Sequence, residues 1–204
     1  ALPLLEKYFL DTELKDFYIP SDDEMHKIMN YIVGAEVSEN YVPMMLDELN
    51  LRPSKPIKNT VAPEKRHIKD FSALIIGAGM SGILMGIKLA ERGIPFKIYE
   101  KNSSVGGTWA ENTYPGCRVD IANHFYSYSF EENHQWSQYF SQQPELEQYF
   151  QACFDKYDLA GMTQFNTEVS AMTFDDSTNL WSIQSINNGS EQSEEFNLVI
   201  SCVG

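Results

Sequence analysis

Three glycines and one acidic residue have the spacing of a dinucleotide-binding motif. Gly77, Gly79 and Gly82 follow the pattern GxGxxG, and Glu100 comes eighteen positions after Gly82. In this pattern the first glycine allows a tight turn, the second lets the backbone approach a pyrophosphate, and the third lets a helix pack closely on a strand. The pyrophosphate would lie at the N-terminus of that helix, where backbone N–H groups favour negative charge. We expect Glu100 to accept hydrogen bonds from ribose hydroxyls, which disfavours a 2′-phosphate.

The elements that position these residues form a βαβ unit. The apolar run Ala73–Ile76 predicts a buried parallel strand directly before the glycines, and Phe96–Tyr99 predicts a second strand that ends at Glu100. Between them the pattern predicts a helix that ends at Gly93. Its predicted packing face consists of Ile83, Ile87, Leu89 and Ala90. The predicted fold class is therefore α/β, with a Rossmann-like parallel sheet that begins with this unit.

Residues 99–130 contain many large side chains but have little helical or strand periodicity. Gly106 and Gly107 permit close approach of the backbone to a ligand, Trp109 follows them, and the Pro-Gly pair at 115–116 predicts a turn. A dehydrogenase that binds NAD would have another helix soon after the second strand. The pattern therefore favours a loop that surrounds the ring system of a flavin.

Several motifs in this part of the chain resemble the flavin-dependent Baeyer-Villiger monooxygenases. They are "GGTW" at 106–109, "YPGCRVD" at 114–120, "YSYSF" at 126–130 and "QYFSQQPELEQYF" at 138–150. The resemblance extends over residues 72–204. The segment "VGAEVSENYVPMMLDELNL" at 33–51 is similar to the helical extension of the 4-hydroxyacetophenone monooxygenase branch. The resemblance implies an FAD-binding domain with a parallel sheet and a β-meander, preceded by a small helical extension.

The motif and the resemblance together give a set of expected FAD-binding residues. They are Gly77, Gly79, Ser81, Gly82, Glu100, Lys101, Gly107, Thr108, Trp109, Asp120, Tyr126 and Val169. By the resemblance, the backbone of Val169 meets the adenine, and Gly204 matches a glycine at which the last strand of the domain returns to the cofactor. Val203 departs from the threonine or serine that the family usually has, which puts the local flavin contact in question.

The resemblance also assigns roles around the flavin ring. Trp109 and Tyr126 would pack at the ring, and Thr108 would donate a hydrogen bond to it. Asp120 would lie beside the ring as a supporting catalytic residue, and because it stands in the apolar stretch "VDIA" we expect its carboxylate to be buried with a partner. The main catalytic arginine of the family lies outside these residues. Arg118 is a nearer candidate partner, although a solvated surface arginine is equally compatible with the sequence.

The activity that the resemblance implies is NADPH- and dioxygen-dependent insertion of oxygen next to a ketone carbonyl, which gives an ester or lactone. The chain would supply the FAD-binding part, and the NADPH site and most of the ketone pocket would lie outside it. We therefore expect the isolated chain to be inactive. Two alternatives remain open: a flavin monooxygenase that oxygenates nitrogen or sulfur, and a non-catalytic flavin-binding module.

The N-terminal part reads as a separate helical extension. Ser21 and Glu24 form a capping-box pattern at the start of a helix that Gly34 ends, and a second short helix is predicted over residues 41–49. The predicted apolar faces consist of Met25, Ile28, Met29, Ile32 and Val33 on the first helix, and of Met44, Met45 and Leu49 on the second. The expected organisation is a helical extension at 1–50, a proline-rich linker at 51–70 and the FAD-binding domain at 71–204. The extension either forms a homodimer or covers the FAD-binding domain.

From residue 144 onward the pattern predicts scaffold. A helix begins at Pro144 and carries an apolar stripe, and short strands follow, separated by the turns "DDSTN" and "NNGSE". The stripe consists of Leu146, Tyr149, Phe150, Cys153, Phe154 and Tyr157. Residues 198–203 are predicted to form a last buried strand.

Composition excludes several classes of partner and site. The net charge of -14 disfavours a nucleic-acid or anionic membrane surface. No apolar run approaches the roughly 20 residues of a membrane span, so a cytoplasmic location is expected. Cys117, Cys153 and Cys202 are far apart and form no CxxC, which disfavours a disulfide framework, a zinc site and a dithiol centre. We expect these cysteines to act as small apolar residues.

Overall fold

The computed structural model of the protein describes residues 19–49, 51, 71–131, 133 and 135–204. The chain divides into two compact units, Ala1–Ala62 and Pro63–Gly204, and each is described by itself. The predicted linker, apart from Leu51, lies outside the described residues. None of the helices in the described part of the chain is long and apolar enough to cross a membrane.

Within residues 19–49, the first unit forms two short helices, α1 (Asp22–Val33) and α2 (Val42–Glu48), with a 3₁₀ turn at Glu39–Tyr41 between them. The predicted capping box is confirmed, because the Ser21 N–H donates to Glu24 Oε2 at 2.9 Å and the Glu24 N–H donates to Ser21 Oγ at 3.4 Å. Gly34 ends α1 in the left-handed conformation with φ 72°.

The apolar faces of these two helices are narrower than predicted. The buried side chains are Met25, Met29, Val42 and Leu46. Five further residues of the predicted apolar faces are exposed, namely Ile28, Ile32 and Val33 on α1 and Met44 and Leu49 on α2. The buried pairs on each helix are four residues apart, so the two short helices contact one another along a single strip.

The second unit is built on a four-stranded parallel sheet. Its strands are β1 (Ala73–Ile76), β2 (Phe96–Tyr99), β3 (Thr163–Gln164) and β7 (Leu198–Ser201), in the order β3-β2-β1-β7. The bounds of β1 and β2 are those predicted. The predicted Rossmann-like α/β fold is confirmed.

Helix α3 (Met80–Glu91) connects β1 to β2. Its buried residues are Gly82, Ile83, Gly86, Ile87 and Leu89. The expected burial of Ala90 is wrong, because Gly86 occupies the close contact with the sheet and Ala90 is exposed. A Cβ at Gly86 would lie 3.1 Å from Ile98 Cδ1. Gly93 follows the helix with φ 64°, as expected for the residue that ends it.

The two faces of the parallel sheet have different partners. Ala73 and Ile75 of β1 face a large core shared with α3 and with α5 (Gln143–Lys156). Leu74 faces a smaller core with Ile183 and Phe196. These last two residues belong to an antiparallel meander, which consists of β4 (Thr167–Asp175), β5 (Leu180–Asn187) and β6 (Ser190–Phe196). Successive β1 side chains therefore serve two layers, as alternation along a strand requires.

The predictions for residues 144–204 are mostly confirmed. The stripe on α5 is buried except for Tyr157, which is half-buried, and both predicted turns separate strands of the meander. The last strand differs from the prediction of a buried strand at 198–203, because β7 ends at Ser201, and Leu198 and Val203 are 40% and 68% exposed. Among the described residues β7 lies at the edge of the sheet and pairs with β1 alone.

An ion pair joins the end of α5 to the loop before it, and it should make stability depend on pH. Lys156 Nζ lies 2.6 Å from Glu131 Oε1, and the Tyr157 hydroxyl donates to Glu131 Oε2 at 2.9 Å. The Lys156 contact lowers the pKa of Glu131 below its usual 4.5. A lowered pKa stabilises the fold above the unfolded value, and this contribution is lost as the pH falls through the folded value.

We expect Glu131→Gln to lower the free energy of unfolding slightly at pH 7 and to have less effect at pH 3, because the stabilisation by the charged carboxylate declines as the pH falls towards its lowered pKa. Urea unfolding at both pH values checks this, with the exposed Glu195→Gln as a control. An equal effect of Glu131→Gln at the two pH values would contradict it.

Candidate dinucleotide-binding site

A cavity of about 460 Å³ lies at the carboxyl ends of β1 and β2. This is where open α/β sheets bind ligands, and the volume is within the usual range for small-molecule sites. Ten of the twelve expected cofactor residues line it, namely Gly77, Gly79, Ser81, Glu100, Lys101, Gly107, Thr108, Trp109, Tyr126 and Val169. Gly82 and Asp120 do not. The structure therefore brings together residues that are more than 90 positions apart in the sequence.

The glycine turn makes the start of α3 compact. Gly77 has φ 97°, and its N–H donates to the Tyr99 carbonyl at 2.8 Å. A Cβ at Gly82 would lie 1.9 Å from the Gly77 carbonyl oxygen, so only glycine fits there. Gly82 thus supports the turn from behind the cavity wall. Gly79 is the N-cap of α3, and no side chain in the described part of the chain caps this end, so an anion is a suitable partner for its N–H groups.

A second pair of glycines brings the loop after β2 onto this turn. The Gly106 N–H donates to the Ala78 carbonyl at 3.0 Å, and a Cβ at Gly107 would lie 2.9 Å from Gly79 Cα. Gly106 and Gly107 have φ values of 121° and 53°. The loop after β2 and the glycine turn therefore meet at the cavity floor through backbone that carries no side chains, which leaves room for a ligand.

Glu100 is 4% exposed and holds the two loops in place. Its Oε2 accepts from the Ala78 N–H at 2.7 Å, and its Oε1 accepts from the Asn102 N–H at 2.8 Å. An ionised carboxylate has about four acceptor sites, so two remain for a further donor. The carboxylate can therefore fix the glycine turn and accept from a ribose hydroxyl at the same time.

Lys101 lies at the same end of the cavity in a small polar cluster that the sequence did not predict. Its Nζ lies 3.0 Å from Glu111 Oε1, and the Asn102 side chain donates to the same oxygen at 2.9 Å. The Asn102 hydrogen bond and the Lys101 charge lower the pKa of Glu111. In the sequence, Asn102 directly follows Glu100, the acidic residue after β2, and Lys101. This position was the one signal from which its place at the cavity could have been predicted. Thr167 and Glu168 also line the cavity and were not predicted.

An aromatic pair forms another wall of the cavity. Trp109 lies in α4 (Thr108–Glu111), is 6% exposed and donates from Nε1 to the Tyr126 hydroxyl at 3.2 Å. The two rings meet edge to face at 5.7 Å between centroids. Such a pair is rigid and presents apolar surface, which suits a planar ring ligand.

The expectation that Asp120 is buried is wrong. Cys117 and Val119 are buried, whereas Arg118 and Asp120 are exposed. Residues 117–120 are extended, with an isolated antiparallel bridge between Arg118 and Gln142, so successive side chains alternate between core and solvent. The apolar neighbours of Asp120 therefore do not enclose it. Its role beside a flavin stays a prediction.

The chain after β7 completes the cavity. Cys202, Val203 and Gly204 line it, and the Cys202 N–H donates to the Ile76 carbonyl at 2.9 Å. The sequence predicted that Cys202 acts as a small apolar residue. It did not predict that Cys202 lines the cavity. Within the described residues, no group of three or more His, Cys, Asp or Glu side chains could hold a metal ion.

The three thiols should react at different rates. Cys117 and Cys153 are buried and Cys202 is half-buried, so Cys202 is the more accessible thiol. Burial raises the pKa of Cys153 to about 11 and also raises the pKa of Cys202. Since only the thiolate reacts, we expect a maleimide at pH 8 to modify Cys202 at least tenfold faster than Cys153. Peptide mass spectrometry of the native protein measures this. Labelling of Cys153 at the rate of Cys202 would contradict it.

Comparison with known proteins gives the class of the fold and shows which monooxygenases the chain resembles. Residues 75–143 match the family described as NAD(P)-binding Rossmann-like domain. A Baeyer-Villiger monooxygenase of Pseudomonas aeruginosa is 44% identical over 117 residues, which cover 57% of this chain and 22% of that protein. The FAD-binding monooxygenase BOA2 of Botryotinia fuckeliana is 41% identical over 133 residues, which cover 63% and 24%.

Solved structures agree with these relatives. A cyclohexanone monooxygenase in its open form is 30% identical with a TM-score of 0.59, and the match covers 66% of this chain and 27% of that one. The OTEMO complex with FAD and NADP is 31% identical with a TM-score of 0.61, over 66% and 26%. The comparisons thus support an FAD/NAD(P)-binding domain of the Baeyer-Villiger monooxygenase family. The chain spans about a quarter of the length of the curated relatives it matches.

Proposed function

We propose that this chain is the FAD-binding portion of an NADPH- and dioxygen-dependent flavoprotein monooxygenase that inserts oxygen next to a ketone carbonyl. The observation that carries the proposal is the cavity, in which a glycine floor, an uncapped helix N-terminus, the Glu100 carboxylate and an aromatic wall converge. Its similarity to Baeyer-Villiger monooxygenases supports the reaction class. The ketone and dioxygen would be the substrates of the whole protein.

The residues present fit FAD in each of its parts. The N-terminus of α3 would hold the pyrophosphate through backbone N–H groups near Gly79 and Ser81. Glu100 would accept from the adenosine ribose, and the backbone of Val169 would meet the adenine. Trp109 would pack at the flavin ring. When bound, FAD supplies the oxygen chemistry, while these residues bind it, orient it and exclude water from it.

Both glycine loops serve a dinucleotide better than a mononucleotide. Gly79 and Gly107 let the two loops pack directly on one another, so that one floor runs from the Glu100 end to the Trp109 end. Glu100 is a poor partner for a 2′-phosphate, because two anions would then share one buried position. The fit therefore favours FAD over NADP in this cavity, and NADPH would bind elsewhere in the whole protein.

Equilibrium binding to the purified chain tests the cofactor assignment. We expect FAD to bind with one molecule per chain, and NADP to bind at least tenfold more weakly. FAD should also slow maleimide labelling of Cys202, which lines the cavity. Tighter binding of NADP than of FAD would overturn the proposal.

The isolated chain is expected to have no turnover, because it spans only a quarter of its relatives' length. Measurable ketone oxygenation by the purified chain with NADPH would contradict this. A second candidate is a non-catalytic flavin-binding module, since the cavity by itself accounts only for binding of the cofactor. For a polypeptide of the relatives' full length, product analysis with a ketone against an amine or a sulfide would separate ketone from nitrogen or sulfur oxygenation.

Three finer assignments also stay proposals. The helical unit supports membership of the 4-hydroxyacetophenone branch and a homodimer through α1, where Ile28 and Ile32 expose apolar surface. Light scattering of wild-type chain and of Ile32→Asp would test the dimer, and identical masses would overturn its placement on α1. A cytoplasmic location remains an expectation from the sequence, which cell fractionation would test.

A further inference from the structure

Gln143 is a buried polar residue at the first turn of α5 that the site described above does not use. It is 7% exposed. Its Nε2 donates to the Trp109 carbonyl and, at 2.9 Å, to Glu147 Oε2, while its N–H donates to the Cys117 carbonyl at 2.9 Å. One residue therefore links α4, the chain at 117 and α5.

The Trp109 carbonyl needs such a donor because α4 is only four residues long. The last carbonyls of a helix have no partner within it. The backbone N–H and the side chain of Asn112 both donate to the Thr108 carbonyl, at 3.0 and 2.9 Å. Asn112 therefore satisfies the carbonyl one position before Trp109 and not that of Trp109. The next carbonyl, that of Trp109, receives its donor from Gln143. Without Gln143 a carbonyl in a buried residue would lose this hydrogen bond.

Helix α5 also supports the second member of the aromatic wall. The Tyr126 ring meets Phe150 of α5 edge to face at 6.5 Å, and its hydroxyl accepts from Trp109 Nε1. The wall is thus fixed to α5 at two points, through the backbone of Trp109 and through the ring of Tyr126. Of these two points, only the hydrogen bond from Gln143 reaches the backbone of α4 itself.

We propose that Gln143 is a positioning residue that sets the orientation of the α4 turn and, through it, the Trp109–Tyr126 wall that faces the cofactor. Gln143 acts through Trp109 and does not line the cavity itself. The link to the cofactor rests on the proposed function, whereas the link to Trp109 does not.

The chain offers a matched control beside it. Gln142 has the same side chain, precedes Gln143 directly and is exposed, and its side chain makes no capping hydrogen bond to α5. Gln143→Leu removes the amide with little change in size, and Gln143→Glu keeps the shape while its ionised form has no donor. If the leucine variant fails to fold, the glutamate variant carries the test.

The experiment has two separate readouts, an NMR resonance of the Trp109–Tyr126 wall and the affinity for FAD. The indole ¹⁵N–¹H resonance of Trp109, identified by its loss in Trp109→Phe, reports the Tyr126 hydrogen bond in the protein without added ligand. We expect this resonance to move in both Gln143 variants, while that of Trp181 in the meander stays fixed and Gln142→Leu moves neither. We also expect the Gln143 variants to bind FAD about 5- to 50-fold more weakly.

The outcomes are distinguishable. A fixed Trp109 resonance in folded Gln143 variants would overturn the proposal, and so would an affinity for FAD equal to that of Gln142→Leu. A moved resonance in a chain whose wild-type form binds no FAD would keep Gln143 as the residue that positions α4 and would overturn the proposed function instead.

Discussion

Replacing Gly82 with alanine is expected to lower the free energy of unfolding of the second unit by about 3 kcal/mol and to abolish measurable FAD binding. The added Cβ would lie 1.9 Å from the Gly77 carbonyl oxygen and 2.9 Å from its carbon, and both are backbone atoms. The Gly77 N–H is bonded to Tyr99, so the turn cannot move without breaking its contact with β2. A displaced turn would no longer present the N-terminus of α3 to a pyrophosphate.

The helix propensities of glycine and alanine oppose the loss of stability expected for Gly82→Ala, so a measured loss can be assigned to the clash. Alanine within a helix is favoured over glycine by about 1 kcal/mol, so a net loss of stability isolates the steric clash. The matched control is Gly161→Ala, where a Cβ would have nothing within 4 Å. We expect that change to alter the unfolding free energy by no more than about 0.5 kcal/mol. Urea unfolding of the two variants and FAD titration compare them, and equal effects would contradict the close packing of α3 on the turn.

Replacing Glu100 with glutamine is expected to weaken FAD binding by roughly 10- to 100-fold and to cost about 1.5–3 kcal/mol of stability. The carboxylate accepts backbone N–H groups with both of its oxygens. A glutamine side chain has only one acceptor oxygen, so its NH₂ group must face one of those donors. The ribose would also lose a charged acceptor, which is the stronger kind.

The Glu100 experiment separates the structural role from the binding role. Glu195→Gln on β6 removes an exposed acid and should change neither quantity, so it controls for the lost charge. Calorimetric titration with FAD and urea unfolding give the two readouts. A variant that loses stability but keeps wild-type affinity would leave Glu100 as a purely structural acid and would contradict its ribose contact.

The βαβ unit could be predicted because each of its signals is local. Strand β1, the glycine turn and strand β2 follow one another within 30 residues, and their apolar runs match the observed bounds. The third glycine was assigned to close packing, and the contact between Gly82 and Gly77 agrees with that assignment. Local periodicity and turn chemistry here agree with the tertiary fold.

The contacts that the sequence did not predict are long-range. Gln143 meets the Trp109 carbonyl across 34 positions, and nothing local marks a glutamine before a proline as buried. The prediction that Asp120 is buried was wrong for a different reason. Successive side chains along an extended segment point to opposite sides, so apolar neighbours in the sequence do not enclose Asp120. The N-terminal helices show the same difference between local and long-range features. The capping box at Ser21 could be predicted, while the narrow strip of contact between the helices could not.

The most direct test of the account is the nucleotide that the purified chain retains. The chain would be expressed, purified, and incubated with FAD and NADP together; after removal of free ligand, the bound nucleotide would be released and identified by mass spectrometry. We expect FAD in about equimolar amount and a yellow protein. A chain that retains NADP, or that retains no FAD, would contradict the assignment of the cavity formed by Gly79, Glu100 and Trp109 as an FAD site.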